Sequence, residues 1–174
     1  MMDILQILLF ILPAYIANSA PVVFGGGLPV DFRRKFIDGE RILGDGKTWR
    51  GLLAGLCFGS LTGLLEAQLC HSAFIPSSIC MNFTFLGFAL SLGTMLGDLA
   101  GSFVKRRMRI KRGQPSIILD QLSFLLFALL FSLPYVPQDL LAVDFLLFLV
   151  VLTYLLHVLT NILANRLGLK KVPW

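Results

Sequence analysis

Charge is scarce in this sequence. Only 14% of its 174 residues are Asp, Glu, Lys or Arg, against 56% hydrophobic, and the mean hydropathy is +0.81. A soluble globular chain carries about 25% charged residues, so a water-exposed fold is a poor first reading. Cysteine is nearly absent too. Of the three, Cys57 falls inside an apolar run while Cys70 and Cys80 flank a short polar segment, a spacing that makes no metal motif. No Cys, Ser-His or Lys setting suited to covalent nucleophilic catalysis stands out, which favours direct, metal-assisted transfer. Lysine and arginine are missing altogether from 70–81 and from 135–140.

That last absence orders the chain. Crossing about 30 Å of hydrocarbon takes roughly 17 to 25 apolar residues in a helix. Five stretches qualify, near 3–24, 51–69, 82–103, 117–134 and 141–165. The first ends in Asn18, Ser19 and Pro21 and lacks the basic start of a cleaved signal peptide, so it reads as a permanent helix. The 15 basic residues fall between the first two runs (Arg33, Arg34, Lys35, Arg41, Lys47, Arg50), between the third and fourth (Lys105, Arg106, Arg107, Arg109, Lys111, Arg112) and in the tail (Arg166, Lys170, Lys171). Positive loops stay in the cytoplasm, so an odd helix count puts every one of them on that side. The expected protein is a single all-α polytopic domain over 1–174 in the cell membrane. Its N-terminus lies outside, its C-terminus is cytoplasmic, and cytoplasmic loops lie near 25–50 and 104–116. Cys70 and Cys80 then face the oxidising side, where a disulfide and two free thiols both stay open.

Glycine recurs every four residues at Gly51, Gly55, Gly59 and Gly63, and again at Gly93, Gly97 and Gly101, extended by Ala89. Such ladders let helix backbones approach closely in lipid, and the second and third helices are expected to pack together. The 25–50 loop opens with Gly25, Gly26, Gly27 and Pro29 and is long enough to fold over the cytoplasmic mouth. Its Gly46-Lys47-Thr48 ends like a phosphate-binding P-loop, but Arg41 stands where that motif needs glycine and no strand precedes it.

Two carboxylates lie inside apolar runs, Asp98 in the third and Asp120 in the fourth. Each costs about 2.5 to 3.5 kcal/mol in lipid unless paired, solvated or bound to a cation. A hairpin turning through 104–116 sets both about 6 to 8 Å inside the cytoplasmic helix ends, where they can meet. Something positive must lie between them: a magnesium ion, or Lys and Arg from the loop. The fifth run carries His157, Asn161 and Asn165 on one stripe, and Asn18 sits at a similar depth in the first. A polar cavity open to the cytoplasm follows, with each Asn a ligand or an interhelical hydrogen bonder and His157 structural. The cationic rim would attract nucleotides, pyrophosphate or phosphorylated lipids; nucleic acid is not an expected partner.

Gly97-Asp98 followed by Ser102, Lys105, Arg106 and Lys111, then Asp120, resembles the C-terminal signature of the CDP-diacylglycerol synthases, with S-x-x-K-R-x-x-x-x-K met in full. The chain departs from it at Arg112, where an acidic residue is usual, in lacking a His-Gly-Gly turn, and at Asp120-Gln121-Leu122-Ser123, where the family closes with D-R-x-D. These departures are similar to those of the archaeal relatives, the CDP-archaeol synthases, which carry A-N-x-x-P and F-x-D-G-x-R-x-L-G-x-G-K-T-x-x-G elements. Here they read Ala17-Asn18-Ser19-Ala20-Pro21 and Phe36 through Gly51, and the stretch from Asn161 to Trp174, closing with Gly168 through Trp174, is similar too.

The resemblance implies a magnesium-dependent transfer of CMP from CTP to an anionic ether-lipid phosphate. That lipid is the unsaturated 2,3-bis-O-geranylgeranyl-glycerol 1-phosphate, and the products are CDP-archaeol and pyrophosphate. Asp98 and Asp120 are expected to hold Mg2+, and Lys105, Arg106 and Lys111 to grip phosphates. Arg41, Lys47 and Thr48 are expected to do so from the first loop, with Arg50 a further candidate. Asn18, Asn161 and Asn165 are expected to read cytosine or position the metal. The alternatives are a bacterial-type activity on ester lipids and a small anion transporter; against the latter, no internal repeat is evident.

Overall fold

The computed structural model describes residues 4–72, 80, 82–110, 114, 116, 118–136 and 142–168. Among the described residues, four helices are long and apolar enough to cross a membrane: α1 (Ile4–Phe24), α2 (Trp49–His71), α3 (Phe83–Arg107) and α5 (Val143–Arg166). The fifth expected span, at 117–134, is broken. It begins as a π turn, Ile118–Leu122, runs as a regular helix α4 over Ser123–Ser132 only, and closes in a 3-10 turn, Leu133–Tyr135. Pro134 accounts for the far end, since its ring lacks an N–H and crowds the preceding turn. At the near end Ser123 donates to the Leu119 carbonyl at 2.6 Å, within the wide turn that carries Asp120.

The glycine ladders set the packing, though not as a single α2–α3 seam. A Cβ on Gly55 would meet the Ala17 carbonyl at 2.7 Å, and one on Gly59 would meet the Pro13 carbonyl at 2.8 Å, so the α2 ladder admits α1. Gly63 at the top of the same ladder lies against Gly87 of α3. Gly93, Gly97 and Gly101 point the other way, onto Phe127, Phe124, Ser123 and Leu119. Helix α3 is thus wedged between α2 and α4, meeting each on a different small-residue face. Phe10, Ile11, Phe83, Leu86, Leu90, Phe124, Leu125 and Leu149 fill the centre.

Helix α5 joins through Phe145, whose ring lies 5.7 Å from that of Phe10, and through Thr153, 2.8 Å from the Tyr15 hydroxyl. The contacts advance the same way along both helices, so α1 and α5 run parallel and end on the same side. Leu147, Val151, Leu155 and Leu159 remain exposed along α5. Apolar residues facing outward are what a lipid-bathed bundle requires. At the opposite end Cys70 and Cys80 form a disulfide, with their Cα atoms 5.9 Å apart.

One buried acid escaped the reading of the sequence. Glu66 sits three residues past Gly63 on the ladder face of α2, only 3% exposed, and neither carboxylate oxygen has a hydrogen-bond partner. A buried unsatisfied polar group costs about 1 to 3 kcal/mol. Glu66→Met, which keeps the volume and removes the orphaned oxygens, is therefore expected to raise the unfolding temperature in detergent by several degrees. A fall of similar size would show that the carboxyl is engaged in the folded protein.

A candidate active site at one end of the bundle

The chain leaves α1 at Phe24 and turns through Gly26 and Gly27, both at positive φ. The loop that follows is ordered around Asp31. Its side chain is fully buried and accepts from the backbone N–H of Arg33, Leu43 and Gly44 and from Arg41, whose Nη2 lies 2.7 Å away. Arg41 reaches Asp45 as well, at 2.9 Å. Burial raises the Asp31 pKa, but the hydrogen bonds from Arg41 and those backbone groups outweigh it and hold the carboxyl far below its usual range. A depressed folded pKa contributes stability that is fully present above the unfolded value near about pH 4 and is lost as pH falls below it.

Removing one partner of a buried pair costs about 3 to 5 kcal/mol. Asp31→Asn is therefore expected to open the loop at neutral pH, read as rapid tryptic cleavage at Arg33, Arg34 and Lys35. On the unaltered loop the same opening is expected to set in only well below about pH 4, read with an acid-active protease such as pepsin.

Backbone bonds from Val30 to the Lys47 carbonyl and from Trp49 to the Leu28 carbonyl, at 2.8 and 3.1 Å, bring the loop's two ends together. Thr48 then caps α2, its hydroxyl accepting from Gly51 and from Gly26, each at 3.2 Å. Capping fixes where the preceding residue points. Lys47 reaches across to α3, with its ammonium 2.6 Å from both oxygens of Asp98. Pro21, Gly46, Thr48, Gly51, Met95 and Leu99 surround the pair in a cavity of about 30 Å³. That is room for about one water molecule.

Asp120 is compensated separately. It pairs with Lys105 and accepts from the Ser116 N–H at 3.1 Å. Instead of one positive group between the two carboxylates, each has its own lysine: Lys47 of the first loop on Asp98, and Lys105 of the last turn of α3 on Asp120. Among the described residues no three His, Cys, Asp or Glu cluster there. The donor set still suits magnesium. That ion takes hard oxygen ligands and is commonly held by one or two carboxylates together with substrate phosphates, and Lys47 already sets a cationic group on Asp98.

The remaining expected residues take varied places. Arg41 is committed to the loop, and Thr48 to the α2 cap. Arg50 is exposed on the first turn of α2. Arg106 is half-buried, with its Nε lacking a hydrogen-bond partner. Asn18 and Asn165 are half-buried and Asn161 is buried, on helices that end at this side. Lys111 lies outside the described residues.

Arg107 was hidden among six similar cations. It pairs with Asp38 at 3.0 Å, donates to the Arg41 carbonyl at 2.5 Å, and stacks on Phe36 and Phe103 at 4.7 and 4.9 Å. It thereby straps the loop onto the end of α3. Phe36, an aromatic in a polar loop, was the available signal.

A solved structure described as an intramembrane enzyme for archaeal membrane lipid biosynthesis superposes with a TM-score of 0.78 at 41% identity, over 92% of this chain and 95% of that one. Fold and site together define a multi-pass intramembrane enzyme with lysine–carboxylate pairs at one end of its bundle. The profile of the CDP-archaeol synthases (CarS-like) matches residues 1–174, and the chain belongs to that family. Among its relatives, the CDP-archaeol synthase of Pyrococcus horikoshii is 48% identical over 174 residues, covering 100% of this chain and 99% of its own. That of Thermococcus gammatolerans is 48% identical over 95% of this chain and 93% of its own, and that of Archaeoglobus fulgidus 45% over 98% of each.

Proposed function

We propose that this enzyme transfers CMP from CTP to the phosphate of 2,3-bis-O-geranylgeranyl-glycerol 1-phosphate, forming CDP-archaeol and pyrophosphate. The observation that carries the reading is the Lys47–Asp98 pair. It joins the last cation of the loop motif to the carboxylate of the membrane signature in one cavity. Asp98 and Asp120 would hold magnesium, which when bound supplies charge neutralisation to the triphosphate and its leaving group.

Lys105, Arg106 and Lys111 would bind phosphate oxygens from the α3 side, and Lys47 and Arg50 from the α2 side. Arg41 and Thr48 would act by holding the loop and the helix start in register. Asn18, Asn161 and Asn165 would line the nucleotide's polar surroundings. The bond from the α-phosphorus to the α–β bridging oxygen breaks, releasing pyrophosphate, as that phosphorus is attacked in line by an oxygen of the lipid phosphate. That oxygen is already anionic near neutral pH, so no general base is required of the chain.

The fifteen basic residues support an orientation with the N-terminus outside and the site facing the cytoplasm. The test is pyrophosphate release by purified protein in detergent, with controls omitting CTP, magnesium or lipid in turn and an ester-linked phosphatidic acid alongside. Release that needs all three, and prefers the ether lipid, is expected. No release from folded protein across several detergents would overturn the assignment.

A further inference from the structure

The segment Leu28–Ile37 has a composition that neither a water-exposed loop nor a membrane helix would keep. Leu28, Phe32 and Ile37 are 57%, 55% and 94% exposed, and Arg33, Arg34 and Lys35 are exposed between them. Its aromatic anchors fix its level relative to the bundle. The Phe32 ring lies 6.3 Å from that of Trp49, the first residue of α2, and Phe36 meets Phe103, in the last turns of α3, edge-on at 5.3 Å. The loop therefore lies at the height of the helix ends, where hydrocarbon gives way to headgroups and where apolar side chains beside cations are favoured.

Phe32 and Arg33 also adopt left-handed backbone conformations, with φ of 48° and 62°. Each such residue costs of order 1 to 3 kcal/mol and persists only where its surroundings enforce it. Here the enforcing groups are the Asp31 carboxylate, which accepts from the Arg33 N–H at 3.0 Å, and the Asp31 carbonyl, which accepts from Arg34 at 2.8 Å. The outcome is that Phe32 and Arg33 line one open cleft of about 420 Å³ with Gly27, Leu28 and Pro29. The other side of that cleft's wall is the catalytic cavity, because Pro29 is bridged to Thr48, which lines the Lys47–Asp98 pocket.

We infer that this cleft is the landing site for the lipid substrate at the bilayer surface. Arg33 takes the phosphate monoester while Leu28, Phe32 and Ile37 sit among the upper hydrocarbon segments. A cation at an apolar wall fits a phosphate that arrives attached to hydrocarbon; CTP, which carries no apolar tail, gains nothing from Phe32 or Ile37. The inference rests on the proposed transfer to a lipid phosphate.

Two measurements on the full-length protein in lipid vesicles test it, and the first does not depend on activity. Ile37→Trp, in a background of Trp49→Phe and Trp174→Phe, places the sole tryptophan on the loop. Its fluorescence is expected to be blue-shifted, quenched by lipids brominated high on the chain, and shielded from aqueous iodide. Emission as in water, quenched by iodide and untouched by bromine, overturns the interfacial location even if the enzyme is fully active.

In the second, Arg33→Gln is expected to raise KM for the lipid about tenfold, as loss of one charge-assisted hydrogen bond would, with KM for CTP and kcat at saturating lipid within about twofold. An unchanged lipid KM, or an equal rise for CTP, overturns the assignment of Arg33. Loss of pyrophosphate release in every lipid, with the tryptophan buried among lipid, would instead count against the transfer reaction and leave the loop's placement standing.

Discussion

Asp98→Asn is expected to lower CTP- and magnesium-dependent pyrophosphate release by roughly a thousandfold, the scale seen when a charge-stabilising group is removed from a transfer site. The substitution keeps the shape of the side chain and removes its charge. Folding should survive. The Asp98 and Lys47 side chains are 29% and 28% exposed, and a pair reached by solvent contributes at most about 1 kcal/mol. The unfolding temperature in detergent is therefore expected to change little while turnover collapses. Full activity at ordinary magnesium would remove Asp98 from the metal site.

Lys47→Met sharpens the result. If the lysine merely blocked the carboxylate against a cation, its removal would free Asp98 and increase turnover. If it passes from carboxylate to phosphate as CTP enters, turnover falls along with CTP affinity. The loop geometry favours the second outcome: Thr48 is locked as a helix cap, so the flexible Lys47 stem is free to swing while its backbone stays fixed.

What the sequence disclosed depended on whether a property was local. Apolar runs of bilayer length located α1, α2, α3 and α5 to within a few residues, because a span must satisfy its backbone internally wherever it lies. Asp98 and Asp120 stood out for a related reason, as charges in runs where charge is costly. The break in the fourth span was not legible. A π turn at Ile118–Leu122 and a 3-10 turn at Leu133–Tyr135 do not alter mean hydropathy, and only Pro134 hinted at the second.

Long-range assignments were hidden as well. Asp31 collects donors from Arg33, Arg41, Leu43 and Gly44, a hub that no spacing rule announces. Arg107 resembled its basic neighbours until Phe36 and Asp38 were seen against it. Glu66 was legible by the same argument as Asp98, one charge in an apolar run. The ladders themselves were read correctly as close-packing faces. The expected meeting of α2 with α3 is present, Gly63 on Gly87 and Gly55 on Met95; what stayed hidden is that α2 shares its ladder with α1 and that the α3 ladder faces α4, since a ladder says how near a neighbour comes and nothing about which helix it is.

The ladder makes the second large prediction. Gly63→Val is expected to lower the unfolding temperature by about 10 °C or to prevent recovery of folded protein, whereas Leu65→Val, on the exposed face, should leave it unchanged. A Cβ on Gly63 would lie 2.5 Å from the Phe83 carbonyl oxygen and 2.7 Å from the Gly87 Cα. The contact is reciprocal, for a Cβ on Gly87 would lie 2.6 Å from the Gly63 Cα. Both obstacles are backbone, so no rotamer change relieves them and α2 must move away from α3. Overpacking of a core typically costs about 1 to 3 kcal/mol, with backbone collisions at the upper end. In a chain of this size each kcal/mol is worth about 2 to 4 °C.

In lipid the lost contacts are not replaced by a hydrophobic driving force, because the tails that enter are as apolar as the residues they separate. The consequence reaches the site about 20 Å away along α2. Lys47 reaches Asp98 across the α2–α3 boundary, and a wider gap would carry the ammonium away from the carboxylate. Any Gly63→Val protein that does fold is thus expected to lose turnover in proportion to its lost α2–α3 contact, and Gly63→Ala should fall between it and the unaltered enzyme. An unaltered unfolding temperature and rate in Gly63→Val would show that the two helices do not meet on this face.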